Sequence, residues 1–312
     1  MQRGRKWTVE QDDEGIALDK FLAAGDKLGS RSKAAAARQR GKVFVNDVEA
    51  GQAMRLSRGD VVRVWDDRPG SAHRRASPFS SAGLRILYED QHLIVINKPA
   101  GILAVPLEKR GEETSIFDQI VAHLRSHGKR KPHVVHRIDR DTSGVVLFAK
   151  DGRTQAALKA QFRARTPERI YLAVVYGIPN PPAGTWRDHL AWDARALIQK
   201  ETHHSDPRAA EAISSYKVIE SFDGASLIEV RLKTGKRNQI RIQARLRGHT
   251  LVGEGRYTYG PDDLRPIPFG RQALHALRLS FRHPAEQREM TFEAPLPEDM
   301  AKLIRKLRAG RV

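Results

Sequence analysis

The chain contains no cysteine. That absence removes disulfides, zinc–thiolate centres and cysteine nucleophiles from consideration, and it fits a cytoplasmic protein. No apolar run approaches the ~20 residues that a membrane-spanning helix requires, so no membrane partner is expected. The N-terminal MQRGRKWTVEQDDEG carries basic residues but no apolar stretch of the kind a secretory leader needs. G-x-x-x-x-G-K-[ST], G-x-G-x-x-G and H-E-x-x-H are all missing, which leaves no motif for a bound nucleotide or a zinc hydrolase. Glu201, His203, His204 and Asp206 are metal-ligand types, yet they sit in a polar stretch with no element to support them. A solvent loop is the expectation there, with no metal and no cofactor.

Acid is also scarce. The 312 residues carry 37 Asp and Glu against 55 Lys and Arg, a net charge of +18. So basic a balance favours a polyanionic partner, nucleic acid before a membrane surface. Hydrophobic residues make up 40% of the chain, enough for a core, and the length suits one large domain and one small one.

Residues 14–66 read as the small unit. Leu18, Phe21 and Leu22 mark one face of a short helix. Ser30 can cap a second helix bearing Arg31, Lys33, Arg38 and Arg40, with Gly41 as its stop. Val43 and Val45 alternate as a strand, Asn46-Asp47 makes a turn, and Val61 to Trp65 forms another strand. Five basic residues and no acidic one lie between Arg31 and Lys42, a positive face suited to phosphates. Residues 67–83, DRPGSAHRRASPFSSAG, read as a linker. From residue 84 to 312 short helices separate strands without a βαβ rhythm. Strands are expected at 92–97, 145–149, 171–176, 227–233, 277–281 and 290–294. Helices are expected around 116–124, after Asp151, at 237–247 with Gly248 as C-cap, and at 297–307. The fold class expected is α+β with a largely antiparallel sheet.

One nine-residue string stands out, HRIDRDTSG from His136 to Gly144. It sets Asp139 between Arg137 and Arg140, ahead of a small-residue turn and the apolar run Val145 to Phe148. Opposite charge nearby favours the ionised form of a carboxylate, and an ionised carboxylate can act as nucleophile or proton acceptor. On charges alone a surface ion pair is the plainer reading. The complete string resembles the signature HRLDxxTSG of the RluA family of pseudouridine synthases, with Ile138 in place of leucine. Further matches follow in family order: YED with LIVINKPAG (88–90 and 93–101), RIY (169–171), TGKRNQIRIQ (234–243), LVGE (251–254), Tyr259-Gly260, LHA (274–276) and His283-Pro284. Residues 14–66, with SRS, GKVFVN and GD, resemble an S-four-type RNA-binding domain, although Ala17 stands where such domains often carry arginine.

The resemblance implies isomerisation of uridine to pseudouridine in structured RNA, without a cofactor. It makes Asp139 the catalytic residue and Tyr171 a ring that stacks on an extruded base and helps deprotonate it. Arg241 becomes the partner that orients Asp139, expected through a bidentate contact. Arg137 would fill the space left by the flipped nucleotide. Arg140, Lys236 and Arg237, with Arg31, Lys33 and Arg38 of the small unit, are expected at RNA. Three departures fall in one motif: Lys236 replaces arginine, and Asn238 and Gln243 replace histidines, so no histidine acid–base is expected there. Glu254 replaces an aspartate and is read as scaffold. Large-subunit ribosomal RNA is the favoured substrate and transfer RNA the second, with a monomer expected. Two readings stay open beside this one, a non-catalytic RNA-binding or ribosome-assembly protein and a nucleoside glycosidic-bond hydrolase.

Overall fold

The computed structural model describes residues 4–39, 43–46, 48–50, 54–65, 83–106, 114–126, 131–193, 198–258 and 266–310. Residues 67–82 of the expected linker 67–83, the helix stop at Gly41, the turn residue Asp47 and the pair Tyr259-Gly260 lie outside these residues. The chain divides into two compact units, residues 1–80 and 81–312.

In the first unit, β1 (Gly4–Thr8), β2 (Val43–Val45), β3 (Val48–Glu49) and β4 (Val61–Trp65) form an antiparallel sheet in the order β1-β4-β2-β3. The unit therefore begins ten residues before the expected boundary at residue 14, because β1 pairs along the whole of β4 from Gly4↔Trp65 to Thr8↔Val61. Helices α1 (Leu18–Leu22) and α2 (Arg31–Gln39) cover it through Leu18, Phe21, Leu22 and Ala34. The Ser30 hydroxyl accepts from the Lys33 backbone N–H at 3.2 Å, the capping contact expected of a serine at that place.

The second unit is built on an eleven-stranded sheet. Its strands are β5 (Ile86–Glu89), β6 (Leu93–Lys98), β7 (His133–Val134), β8 (Ser143–Ala149), β9 (Glu168–Tyr176), β10 (Ala183–Asp193), β11 (Ile198–Glu201), β12 (Ala210–Phe222), β13 (Ala225–Leu232), β14 (Leu274–Arg282) and β15 (Glu289–Glu293). The order runs β11-β10-β12-β13-β9-β14-β8-β6-β5, with β15 on β14 and β7 on β8. Every pairing is antiparallel except β14 with β8. Helices α3 (Ile116–Ser126), α4 (Gly152–Ala164), α5 (Gln239–Leu246) and α6 (Glu298–Arg308) accompany it. The α+β class is thus a mixed, mostly antiparallel sheet with helices. No helix among the described residues is long and apolar enough to cross a membrane.

Sequence pattern accounts for the parts that matter to the site. Strands β6 and β8 are buried along their whole lengths, as their unbroken apolar runs require. Asp151 caps α4 by accepting from Thr154 N–H at 2.7 Å. The parallel contact of β8 with β14 aligns Ser143 with His275 and Gly144 with Ala276. Here the backbones approach so closely that a Cβ on Gly144, whose φ is +117°, would overlap the Ala276 carbonyl. The glycine that closes HRIDRDTSG is thereby explained, and the start of β8 fixes the end of the loop that carries Asp139.

Candidate active site

Asp139 lies in the loop between β7 and β8, held at three points. Lys98, at the end of β6, is fully buried and its Nζ donates to the carbonyls of Arg140, Pro99 and Ile102 at 2.7, 2.8 and 2.7 Å. The Gly101 N–H donates to the same Arg140 carbonyl at 3.0 Å. Arg271 Nη1 donates to the Asp141 carbonyl at 2.9 Å while its Nε and Nη2 hold Asp299 at 2.7 and 3.0 Å. Burial pulls the Lys98 ammonium down to about 7. A neutral amine would serve only two of its three carbonyls.

The Asp139 carboxylate receives two donors on one oxygen. Asn238 Nδ2 reaches Oδ2 at 2.6 Å and Arg241 Nη1 at 3.2 Å. Among the described residues nothing bonds Oδ1, which leaves that oxygen for a reacting group. The Asn238 amide is oriented by a relay: Gln199 N–H donates to the Tyr257 hydroxyl at 3.2 Å, and the hydroxyl donates to Asn238 Oδ1 at 3.1 Å. With its oxygen so engaged, the amide turns its NH2 to Asp139. Asn238 adopts φ +54°, a left-handed conformation that asparagine tolerates, at the start of α5.

Arg241 lies on α5, and its bidentate partner is Glu254 rather than Asp139. Nε and Nη2 meet the two Glu254 oxygens at 2.6 Å each. The Glu254 side chain is 0% exposed and also accepts the backbone N–H of Arg256 and Tyr257 at 2.8 and 3.1 Å. Although burial opposes it, hydrogen bonding and charge from Arg241 hold the Glu254 carboxyl below the usual range. The expected fork between Arg241 and Asp139 therefore does not form: the fork geometry is spent on the enclosed acid, and one nitrogen remains for Asp139. Glu254, read from the sequence as scaffold, is the residue whose role sequence reasoning missed. The signal was an isolated acid in a strongly basic segment, where burial of an arginine would demand a partner.

Asp139, Tyr171, Arg241, Arg137 and Lys236 all line one cleft of about 570 Å³. Tyr171 comes from β9 and is buried, which pushes its phenol up. Arg137 is exposed at the mouth. Arg140 and Arg237 do not line the cleft: the Arg140 carbonyl is gripped by Lys98, and Arg237 stacks on Trp192 at 4.3 Å. His136 stacks on Phe162 at 4.9 Å and accepts the Leu147 N–H, and burial with Arg169 nearby lowers it to about 3, so it is a neutral structural ring. Gln243 does not line the cleft; it is buried in a network with Asp188, Ser214 and Ala212 that joins the cleft-lining Gln239, whose Nε2 donates to Gln243 Oε1 at 3.3 Å. His275 is likewise enclosed between the Ser143 hydroxyl and the Ala294 carbonyl.

In the N-terminal unit Arg31 and Lys33 are exposed. Arg38 is not a free cation, because Asp19 from α1 takes its Nε and Nη2 at 2.8 and 2.9 Å. The acid came from another helix, which a window over α2 alone does not reveal. Glu201, His203, His204 and Asp206 do not converge. Asp206 instead accepts from Arg208 and Thr202. Among the described residues one group, Asp90, His283 and Glu286, has metal-like spacing. Both His283 nitrogens are occupied there, by Asp90 and by the Glu286 N–H.

Comparisons with known proteins identify what the chain is similar to. Residues 92–246 match the family described as RNA pseudouridylate synthase. Over 305 residues the chain is 34% identical to an uncharacterized RNA pseudouridine synthase of Bacillus subtilis, covering 96% of this chain and 97% of that one. It is 36% identical to the ribosomal large subunit pseudouridine synthase D of Zymomonas mobilis, covering 82% of this chain and 81% of that one. In fold it is similar to human RNA pseudouridylate synthase domain containing 4, with a TM-score of 0.58 and 24% identity over 72% of this chain and 93% of that one.

Proposed function

This chain belongs to the RNA pseudouridylate synthase family of RluA type, and from that premise we propose that it modifies uridines of large-subunit ribosomal RNA with Asp139 as the nucleophile or proton acceptor. The enzyme class follows from the family: an RNA pseudouridine synthase, an isomerase. The observation that carries the residue assignment is the Asp139 carboxylate itself, with Oδ2 tied to Asn238 and Arg241 and Oδ1 open to the cleft. A protein that only binds RNA has no use for an anion at that place.

The reaction conserves the atoms of the base and ribose. The bond from ribose C1′ to uracil N1 breaks, the base turns, and C1′ bonds to C5. The proton on C5 leaves and N1 gains one. Asp139 either attacks C1′ or removes a ribose proton to open the first bond. The target base must leave its stack to reach Asp139, at a cost of a few kcal/mol. Stacking of Arg137 on neighbouring bases offsets part of that cost. Tyr171 stacks on the turned base. Burial raises its phenol, and the same residue is the one proposed to help deprotonate C5.

The ribosomal substrate is supported by the likeness to the large-subunit pseudouridine synthase D of Zymomonas mobilis. The N-terminal unit is read as an S-four-type RNA-binding domain, with Arg31 and Lys33 at phosphates and the stretch 67–83 as its tether. The enzyme is taken to act as a cytoplasmic monomer. The test uses purified protein with unmodified ribosomal and transfer RNA carrying tritium at uridine C5. Tritium release from ribosomal RNA, with no free uracil, is expected. Release from transfer RNA alone would reassign the substrate, and free uracil would point to hydrolysis.

A further inference from the structure

Arg169 is a cation without a counter-charge. It is the second residue of strand β9, two residues before Tyr171, and lines the cleft. Its Nε is buried with no hydrogen-bond partner, and its Nη2 makes only a 3.4 Å contact with the Leu232 carbonyl. No ion pair among the described residues engages it. The neighbouring acid, Glu168, is taken by Arg231 at 2.9 Å. A guanidinium left so poorly satisfied is costly. The surroundings nonetheless hold it in place. The guanidinium carbon lies 5.7 Å from the centre of the Phe162 ring. Gly235 leaves it room, for a Cβ there would come within 2.5 Å of Nη1. A side chain packed this closely, with donors unspent, fits a site that is completed by a ligand.

The charge around it defines the ligand. Lys159, Arg163 and Arg165 approach from α4 and its C-terminus, and Lys236 comes from the turn before α5. Asp139 is the one carboxylate among the cleft-lining residues, and Asn238 and Arg241 hold it already. Uracil carbonyls accept hydrogen bonds but supply no charge. A phosphodiester supplies both a full negative charge and oxygens for a planar guanidinium.

Resting on the reading of this cleft as an RNA site, we infer that Arg169 receives a backbone phosphate beside the flipped nucleotide, with Lys159 and Arg163 extending the track along α4. Arg169 is then a binding residue that sets where the strand enters the cleft, while the chemistry stays with Asp139.

The experiment follows the arginine Nε–H resonances of the full chain by nitrogen-15 NMR, with the Arg169 signal identified by its loss in Arg169→Lys, or in Arg169→Met if the lysine variant fails to fold. The protein is titrated with inorganic phosphate, with a short uridine oligoribonucleotide, and with the same oligonucleotide bearing neutral methylphosphonate linkages. The expected result is a saturable shift of the Arg169 signal with phosphate and with the natural oligonucleotide, and none with the neutral one. An unmoved Arg169 signal would overturn the inference, and so would equal shifts from both oligonucleotides, which would assign the guanidinium to a base carbonyl. In the tritium-release assay Arg169→Met is expected to raise KM roughly tenfold or more while leaving kcat within a factor of about two. Failure of native protein to release tritium would count against the synthase reading itself, and the phosphate titration would still decide the role of Arg169.

Discussion

Glu254 and Arg241 meet fork to fork, two bonds of 2.6 Å, and only the remaining Nη1 of Arg241 extends to Asp139 at 3.2 Å. The fully enclosed acid thus aims the arginine, and the arginine steadies the carboxylate that faces the cleft. Glu254→Gln breaks the charge pair while keeping the shape. A stability loss of about 3–5 kcal/mol is expected at pH 7, as for other buried pairs that lose one partner. The folded Glu254 carboxyl lies below its unfolded value. Its stabilisation is therefore present above the unfolded value of about 4.3 and is lost as pH falls through the folded one. Urea unfolding of both proteins across this range should show their difference shrinking in acid; a constant difference would contradict the pairing.

Asn238 makes the shorter of the two contacts to Asp139. Asn238→Ala should lower kcat by roughly tenfold, the worth of one hydrogen bond to a charged group, with KM little changed. Asn238→Asp should be worse at neutral pH, because two adjacent carboxylates share a proton and disfavour the ionised Asp139. Steady-state kinetics from pH 6 to 9 separates the two variants. Equal kinetics in both would remove Asn238 from the site.

Gly144→Ala places a Cβ on the Ala276 carbonyl at a positive φ. The cost expected is on the order of 3–5 kcal/mol, from overpacking and backbone strain together. Gly152→Ala, at the first position of α4 where a Cβ meets nothing within 4 Å, should be neutral or slightly stabilising. Thermal unfolding of the two variants checks the contrast.

Lys98→Met keeps the volume but strips the donor from the Arg140 carbonyl of the catalytic loop and from the Pro99 and Ile102 carbonyls of the turn after β6. At about 1–3 kcal/mol for each buried group left unsatisfied, a substantial loss of stability is expected. Activity should fall further than stability alone explains, since the Arg140 carbonyl adjoins Asp139. Hydrogen exchange at Gly101 and Thr142 reports the loosening directly.

The HRIDRDTSG string led to the loop, and the apolar runs to β6 and β8, because local pattern and burial agree there. The Ser30 and Asp151 caps were legible for the same reason: a cap is a contact within three residues. What escaped the sequence was long-range pairing. Arg38 reads as a free cation until α1 brings Asp19 to it. Glu254 reads as scaffold until the turn after α5 folds it under Arg241. Gln243, by contrast, stands in a motif beside the site, yet α5 turns it into a buried network with Asp188. Strand β1 escaped for a different reason, since a short polar segment such as GRKWT shows no alternation until a partner strand is supplied.

The most direct test of the central claim maps pseudouridine by carbodiimide labelling and reverse-transcription stops in cells with the gene intact, deleted, and restored as native or Asp139→Asn. Ribosomal RNA stops that vanish on deletion, return with the native gene and stay absent with Asp139→Asn are the predicted result. Restoration of those stops by Asp139→Asn would contradict the assignment of Asp139 as the catalytic carboxylate.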